Sequence, residues 1–131
     1  MMSLNHENVL KSYSTCFLNR KIFIIMQYMD QGSLSNILKY KYSKGINDVS
    51  IIATLIRECA KALEYLHNNN IIHRDLKASN VLLNSEGCVC LADLGVVGLL
   101  NEAKRRFSFV GSLHWMAPEV FSSGKGYDNK V

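Results

Sequence analysis

Two short runs of strand-forming residues near the start of the chain predict a β-hairpin. Residues 13–18 and 22–28 are rich in Ile, Phe, Tyr and other residues that favour strands. The polar residues 19–21 between them are few enough for a tight hairpin turn. We therefore expect two antiparallel strands over this part of the chain.

Helical periodicity follows the predicted hairpin. Gly32 breaks the strand pattern, and Ser33 is a suitable N-cap for a short helix that runs through Leu34, Ile37 and Leu38. A longer helix is predicted from about Asp48 to His67, and residues 68–70, all Asn, end it. Its apolar residues recur at three- and four-residue steps and therefore share one face: Ile52, Leu55, Ile56, Cys59, Leu63 and Leu66.

A second hairpin is predicted in the following part of the chain. Residues 81–83 and 88–91 form its strands, and residues 84–87 form its turn. Asp93 comes just after the second strand. From residue 96 to residue 113 no clear period holds, which is typical of a long mobile loop.

Composition and charge narrow the class of protein. The chain has 131 residues, of which 48% are hydrophobic and 20% charged, so it is globular and long enough for one domain with a modest core. The net charge is +4, and the densest basic run, residues 104–106, is too short to indicate nucleic acid or a membrane as partner. No apolar run approaches the roughly 20 residues of a membrane span, and no signal pattern opens the chain. The four cysteines fit no zinc framework, and we expect a reducing, cytoplasmic compartment.

One eight-residue motif carries the chemistry. Residues 73–80 read H-R-D-L-K-A-S-N, the pattern H-R-D-L-x-x-x-N of a phosphoryl-transfer loop. Residues 93–95 read D-L-G and residues 117–119 read A-P-E, in the places of D-F-G and A-P-E. Such a match with two ordered partners downstream is hard to produce by chance.

Phosphoryl transfer needs an aligned hydroxyl and neutralised phosphate charge rather than covalent work by the protein. In this pattern Asp75 would accept or orient the proton of the substrate hydroxyl, and Lys77 would place a positive charge beside the transferring group. Asn80 and Asp93 supply oxygen ligands of the kind that Mg²⁺ prefers. The second hairpin would bring these two residues together.

The chain resembles the catalytic domain of eukaryotic protein kinases over nearly its whole length. Residues 53–58, 63–67, 107–112 and 115–119 resemble the sterile-twenty group of serine/threonine kinases, and within it the SPAK-like germinal-centre branch. The resemblance implies an α+β, two-lobed kinase-like fold in incomplete form. Residues 1–29 would be the end of the small lobe with the hinge, and residues 30–131 part of the large lobe.

The resemblance also implies a nucleotide site. Met26 would be the gatekeeper, the backbone of Gln27 and Met29 would bond the adenine edge of ATP, and Leu82 would form the floor beneath it. Asn80 and Asp93 would hold Mg²⁺. Met26, Met29 and Leu82 would equally serve as ordinary core residues in another fold.

Further residues take catalytic and regulatory roles by the same resemblance. Ser112 replaces a threonine whose hydroxyl bonds the catalytic Asp and Lys. Ser108 would be phosphorylated by an upstream activating kinase, and Arg74 would then pair with the phosphate. An unmodified loop serine and a simple surface charge are the alternatives for Ser108 and Arg74, and His73 is interpreted as a buried packing residue.

Departures from the family pattern leave other functions open. Leu94 stands in place of phenylalanine, and Leu113 in place of a proline. The glycine-rich loop and its lysine have no counterpart before Gly32, and cover for the long helix is expected beyond residue 131. We expect the isolated chain to be marginally stable or prone to aggregate. Serine/threonine phosphorylation is the predicted function, with a truncated non-catalytic binding module or a gene remnant as alternatives.

Overall fold

The computed structural model describes residues 4–94, 98–99, 111–121, 126–129 and 131. Two helices and seven strands are assigned in these ranges. In chain order they are β1 Ser12–Leu18, β2 Lys21–Met26, β3 Gly32–Ser33, α1 Leu34–Lys41, α2 Val49–Asn68, β4 Ile71–Ile72, β5 Val81–Leu83, β6 Val89–Leu91 and β7 Gly98–Leu99. Short 3-10 turns cover Ala78–Asn80, Leu113–Trp115 and Pro118–Phe121.

The predicted first hairpin is confirmed. Strands β1 and β2 pair antiparallel, with Leu18 opposite Lys21. The two residues between them, Asn19 and Arg20, have φ angles of 50° and 60°, the pattern of a type I′ turn. Strand β2 ends at Met26, two residues earlier than predicted, and every residue of both strands is exposed.

Both predicted helices form, and a side chain caps the start of each; the Ser33 cap was predicted. Ser33 accepts a hydrogen bond from the Asn36 N–H and begins α1, while Asp48 accepts one from the Ser50 N–H and begins α2. The predicted apolar face of α2 packs mainly through its later residues. Leu66 is fully buried, and Leu55, Cys59 and Leu63 pack against the core. Near the start of the face, Ile52 and Ile56 are exposed.

The core lies between the second half of α2 and a small sheet. Strands β3, β5 and β6 form this sheet in the order β3-β5-β6, and the predicted second hairpin is therefore confirmed. The core residues are Val9, Ala62, Leu66, Ile71, Val81, Val89 and Leu91. Strand β4 pairs with β7. This short strand lies within residues 96–113, where the sequence predicts a mobile loop without regular structure. Most of that stretch lies outside the described residues.

The segment before β1 is fastened to α2 and β6. The His6 ring stacks on the Tyr65 ring with centroids 4.8 Å apart. The Asn8 side-chain amide donates to Glu58 Oε2 at 3.1 Å and to the Val89 carbonyl at 2.9 Å. Hydrogen bonds from Lys61 and then Arg57 lower the pKa of Glu58 to about 2, so this acceptor is ionised at neutral pH.

The described residues contain no disulfide, no metal-binding cluster and no helix that could span a membrane. All four cysteines are free, and Cys90 is buried in β6 with its thiol donating to the Glu7 carbonyl at 3.3 Å. Within the described ranges, no cluster of three or more His, Cys, Asp or Glu side chains is arranged to hold a metal ion. No helix in the same ranges is both long and apolar enough to span a membrane.

Candidate active site

The motif at residues 73–80 forms the connection from β4 to β5. It leaves β4 through Arg74, whose φ of 67° turns the backbone sharply, and it enters β5 through the 3-10 turn Ala78–Asn80. A non-glycine residue with positive φ is uncommon and is held by its surroundings. The turn leaves Asp75 only 8% exposed.

Four hydrogen bonds converge on the Asp75 carboxylate. Its Oδ2 atom accepts from Lys77 Nζ at 2.7 Å and from Asn80 Nδ2 at 3.0 Å. Its Oδ1 atom accepts from the Ser112 N–H at 3.1 Å and from the Ser112 hydroxyl at 2.7 Å. Lys77 Nζ also donates to Ser112 Oγ at 2.8 Å, which closes a ring of three side chains.

These bonds decide the charge of Asp75. Burial by itself would raise the pKa of the carboxyl, but the hydrogen bonds from Lys77, Ser112 and Asn80 outweigh burial and leave the pKa below its usual value. Asp75 is therefore ionised at neutral pH. A low pKa makes it a weak proton acceptor in the ground state and a well-oriented hydrogen-bond acceptor for a hydroxyl.

His73 does more than the packing that the sequence suggested. The buried ring contacts the Ala92 carbonyl through Nε2 at 3.0 Å and accepts from the Asp75 N–H through Nδ1 at 3.3 Å. Because Nδ1 faces a donor and Nε2 faces an acceptor, the pair of contacts requires the neutral tautomer with its proton on Nε2. Burial lowers the pKa of His73 and favours this neutral form. The clue in the sequence to this second role was the position of His73 in the motif, two residues before Asp75.

The end of β6 is tied to the same loop. The Ala92 N–H donates to the Asn80 carbonyl at 2.8 Å, one residue before Asp93. Asp93 is exposed and has a φ of 61°, a conformation that Asp tolerates better than most residues. The structure thus brings together Asp75, Lys77, Asn80 and Ser112 and holds the backbone of Asp93 next to them.

Comparison with known proteins identifies the family of the chain. A family model described as the protein kinase domain matches residues 1–131. The chain belongs to the protein kinase family. As a family, protein kinases use ATP and Mg²⁺ and act on protein substrates.

Curated relatives narrow the group of protein kinases to which the chain belongs. The chain is 39% identical to germinal center kinase 3 of Caenorhabditis elegans, with all of the chain and 24% of that protein aligned. It is 43% identical to serine/threonine-protein kinase dst2 of Dictyostelium discoideum over 97% of the chain and 11% of that protein. With serine/threonine-protein kinase cst-1 of Caenorhabditis briggsae the identity is 40%, over 100% of the chain and 26% of that protein.

These relatives confirm the sterile-twenty group and the partial two-lobed kinase fold that the sequence predicted. The finer assignment to the SPAK-like branch stays a prediction. The kinase chain spans about a quarter or less of the length of these curated relatives.

The predicted nucleotide residues lie on β2, β5 and the connection after β2. Met26 ends β2 and is 45% exposed, whereas Met29 is buried. The Gln27 N–H donates to the Lys11 carbonyl at 2.9 Å, and the Met29 carbonyl accepts from the Gly32 N–H at 3.0 Å. Leu82 lies in β5, opposite Ser33 on one side and Cys90 on the other.

Of the two predicted regulatory residues, the structure describes one. Arg74 lies in the loop of residues 73–80, directly before Asp75, and it interacts with another part of the protein. Ser108 lies outside the described residues. The pairing of a phosphate on Ser108 with Arg74 therefore stays a prediction.

Proposed function

We propose that this kinase chain carries the catalytic centre that transfers the γ-phosphoryl group of ATP to serine or threonine hydroxyls of a protein. The observation that supports the proposal is the Asp75 carboxylate, which is buried, ionised and bonded to Lys77, Asn80 and Ser112. A purely binding module has no need for this combination. The non-catalytic alternative is supported by no specific contact among the described residues.

Asp75 orients the attacking hydroxyl in this proposal. Its two oxygens accept four hydrogen bonds from within the chain, about as many as a carboxylate accepts, so an incoming hydroxyl would replace one of them. Lys77 is the partner best able to leave, because it is a flexible chain that is 26% exposed while Asn80 is buried. Once displaced, its ammonium group is near enough to stabilise negative charge on the transferring phosphoryl group.

Asn80 and Asp93 fit a magnesium site. Asn80 donates both side-chain bonds through Nδ2, to the Asp75 carbonyl and to Oδ2, so its oxygen is the atom that would contact a cation. Asp93 adds a carboxylate, and one or two such groups with phosphate oxygens and water are the usual ligands of Mg²⁺. When bound, Mg²⁺ neutralises phosphate charge.

The nucleotide base would bind along the connection after β2. Since Gln27 uses its N–H and Met29 uses its carbonyl within the protein, the Gln27 carbonyl and the Met29 N–H are the complementary pair for the adenine edge. Met26 and Leu82 would form apolar walls. In this assignment residues 1–29 belong to the small lobe and hinge, and residues 30–131 to the large lobe of a cytoplasmic enzyme.

Phosphorylation of Ser108 by an upstream kinase is the proposed activating event. A phosphate there adds nearly two negative charges, which Arg74 can pair with and so fix the loop next to Asp75. Replacing Ser108 with Ala should lower the activity of protein isolated from cells. A Ser108→Ala variant that is as active as the natural protein would contradict this part of the proposal.

The central experiment measures phosphate transfer by the full-length protein that contains this chain. With Mg-ATP and a library of Ser, Thr and Tyr peptides, we expect labelled serine or threonine. Asp75→Asn should lower the rate about 10²- to 10⁴-fold. Asp48→Asn is the matched control, because Asn also serves as the N-cap of α2.

Three outcomes would count against the proposal. Equal activity of the Asp75→Asn and natural proteins would remove Asp75 from the mechanism. Labelled tyrosine alone would change the acceptor class. Nucleotide binding without any transfer would favour the non-catalytic module.

A further inference from the structure

Gly111 makes an unusually close backbone contact with the catalytic loop. A Cβ atom added at Gly111 would lie 2.3 Å from the Arg74 carbonyl oxygen and 3.3 Å from the Met116 methyl group. The methyl group can move, but the Arg74 carbonyl belongs to the backbone. Gly111 also has a φ of 132°, a conformation that favours glycine. This position therefore excludes a side chain twice, by its conformation and by its neighbour.

The contact lies directly beside the bonds that hold Asp75. Arg74 precedes Asp75, and Gly111 precedes Ser112, whose N–H and hydroxyl both donate to Asp75 Oδ1. An ordinary contact for a Cβ begins at about 3.4 Å, so a side chain would push the two backbones apart by about 1 Å. The hydroxyl contact of 2.7 Å would then exceed hydrogen-bonding distance.

We infer that Gly111 is a positioning residue for phosphoryl transfer. Its missing side chain lets the segment at residues 111–112 close on the Arg74 carbonyl, and this closure places Ser112 on Asp75 and Lys77. The inference rests on the proposed function. Gly111 itself does not contact the substrate in this inference, because the residue acts through Ser112.

The first test is a double-mutant cycle in the full-length protein. Gly111→Ala should lower kcat about 10²-fold with a smaller change in KM for ATP, since a 1 Å displacement at the reacting groups has this order of effect. In a Ser112→Ala background the same change should cost only about tenfold, because the hydroxyl contact is already absent and only the N–H contact of residue 112 remains to be displaced. Equal costs in both backgrounds would overturn the inference.

Gly87→Ala is the matched control. Gly87 lies in the turn between β5 and β6 and has a φ of 85°, but a Cβ added there meets nothing within 4 Å. Its substitution introduces backbone strain without the close contact. We expect phosphate transfer to stay within about twofold of the natural protein. An equal loss of phosphate transfer in Gly87→Ala and Gly111→Ala would show that backbone strain alone causes the effect, and it would overturn the inference.

A second measurement does not depend on activity or on the folding of the variant. Because the Ser112 N–H donates to Asp75 Oδ1, its amide hydrogen should exchange slowly with solvent in the natural protein. A Ser112 amide that exchanges as fast as an unprotected amide would overturn the inference. Failure of the proposed function is distinct, since it would appear as absent transfer in the natural protein and in Gly87→Ala.

Discussion

The loop of residues 73–80 and the first hairpin are stabilised in opposite ways. His73, Asp75 and Asn80 are at most 8% exposed, and side-chain hydrogen bonds join them to each other and to distant parts of the chain. In the β1–β2 hairpin even the most sheltered large apolar side chain, Met26, is 45% exposed. The hairpin is held by its own ladder and turn. Single changes should therefore propagate through the loop and stay local in the hairpin.

The largest effect in this comparison is expected for Asn80→Asp, which exchanges a hydrogen-bond donor for an acceptor inside the loop. Asn80→Asp keeps the side-chain shape but replaces the Nδ2 donor, which lies 2.9 Å from the Asp75 carbonyl and 3.0 Å from Asp75 Oδ2, with an oxygen. Two carboxylates at this distance repel each other and raise the pKa of one of them. We expect phosphate transfer to fall about 10³-fold.

Asn84→Asp is the control for that exchange. Asn84 lies in the turn after β5, and its Oδ1 atom accepts a hydrogen bond from the Cys88 N–H at 2.8 Å. Aspartate can accept the same bond, so the rate of transfer should stay within about twofold of the natural rate. Equal losses in both variants would show that the charge itself, rather than the direction of the hydrogen bond, matters.

A second comparison uses the first and second halves of helix α2. Leu66 is fully buried beside β6, whereas Ile56 is 64% exposed on the same helix. Leu66→Ala removes core contacts and leaves a cavity, so the free energy of unfolding should fall by about 3 kcal/mol. Ile56→Ala should cost less than about 1 kcal/mol, because little of its side chain is buried. Denaturant unfolding of the full-length variants measures both, and equal costs would contradict the assigned core.

Local patterns in the sequence were enough for most elements. Both hairpins and both helices follow from residue type, period and caps, since Ser33 and Asp48 cap the helices through contacts within three residues. Strand β7 was missed because its pairing with β4 joins residues 26 or more positions apart and leaves no local period. Incomplete cover of the α2 face was expected, but a period identifies a helix face without showing which of its residues, such as Ile56, stay exposed.

The site was predictable where a motif names the residues. Asp75, Lys77, Asn80 and Ser112 meet as expected, although their assigned roles stay proposals. The double contact of His73 and the close approach of Gly111 were not predicted. Both depend on backbone groups of distant residues, Ala92 and Arg74, whose positions no spacing in the chain reveals.

Acidification should weaken the loop before it affects the hairpin. The pKa of His73 is lowered by burial, while an unfolded histidine titrates near about 6.5. Between these values the unfolded state binds more protons than the folded state. The free energy of unfolding should therefore fall as the pH drops below about 6.5, by up to about 1.4 kcal/mol per pH unit.

Unfolding curves at about pH 7.5, 6.5 and 5.5 test this pH dependence. The pKa of His67 is also lowered by burial, so the measurement belongs in a His67→Gln background. His73→Gln keeps a donor for the Ala92 carbonyl and cannot titrate, and it should flatten the dependence. An unchanged slope in His73→Gln would assign the effect to other groups.

The smallest effect is expected in the first hairpin, where a change in the turn tests whether the hairpin is stabilised locally. Arg20 has a φ of 60° in the two-residue turn, where glycine adopts the conformation without the cost that an L-side chain incurs. Arg20→Gly should stabilise the hairpin by about 0.5–1 kcal/mol, and Lys21→Gly, one residue later in β2, should destabilise it by a similar amount. Amide hydrogen exchange should slow in β1 and β2 for the first variant and accelerate for the second. Exchange in β5 and β6 should not change, and a parallel change there would show that the hairpin and the catalytic region unfold as one unit.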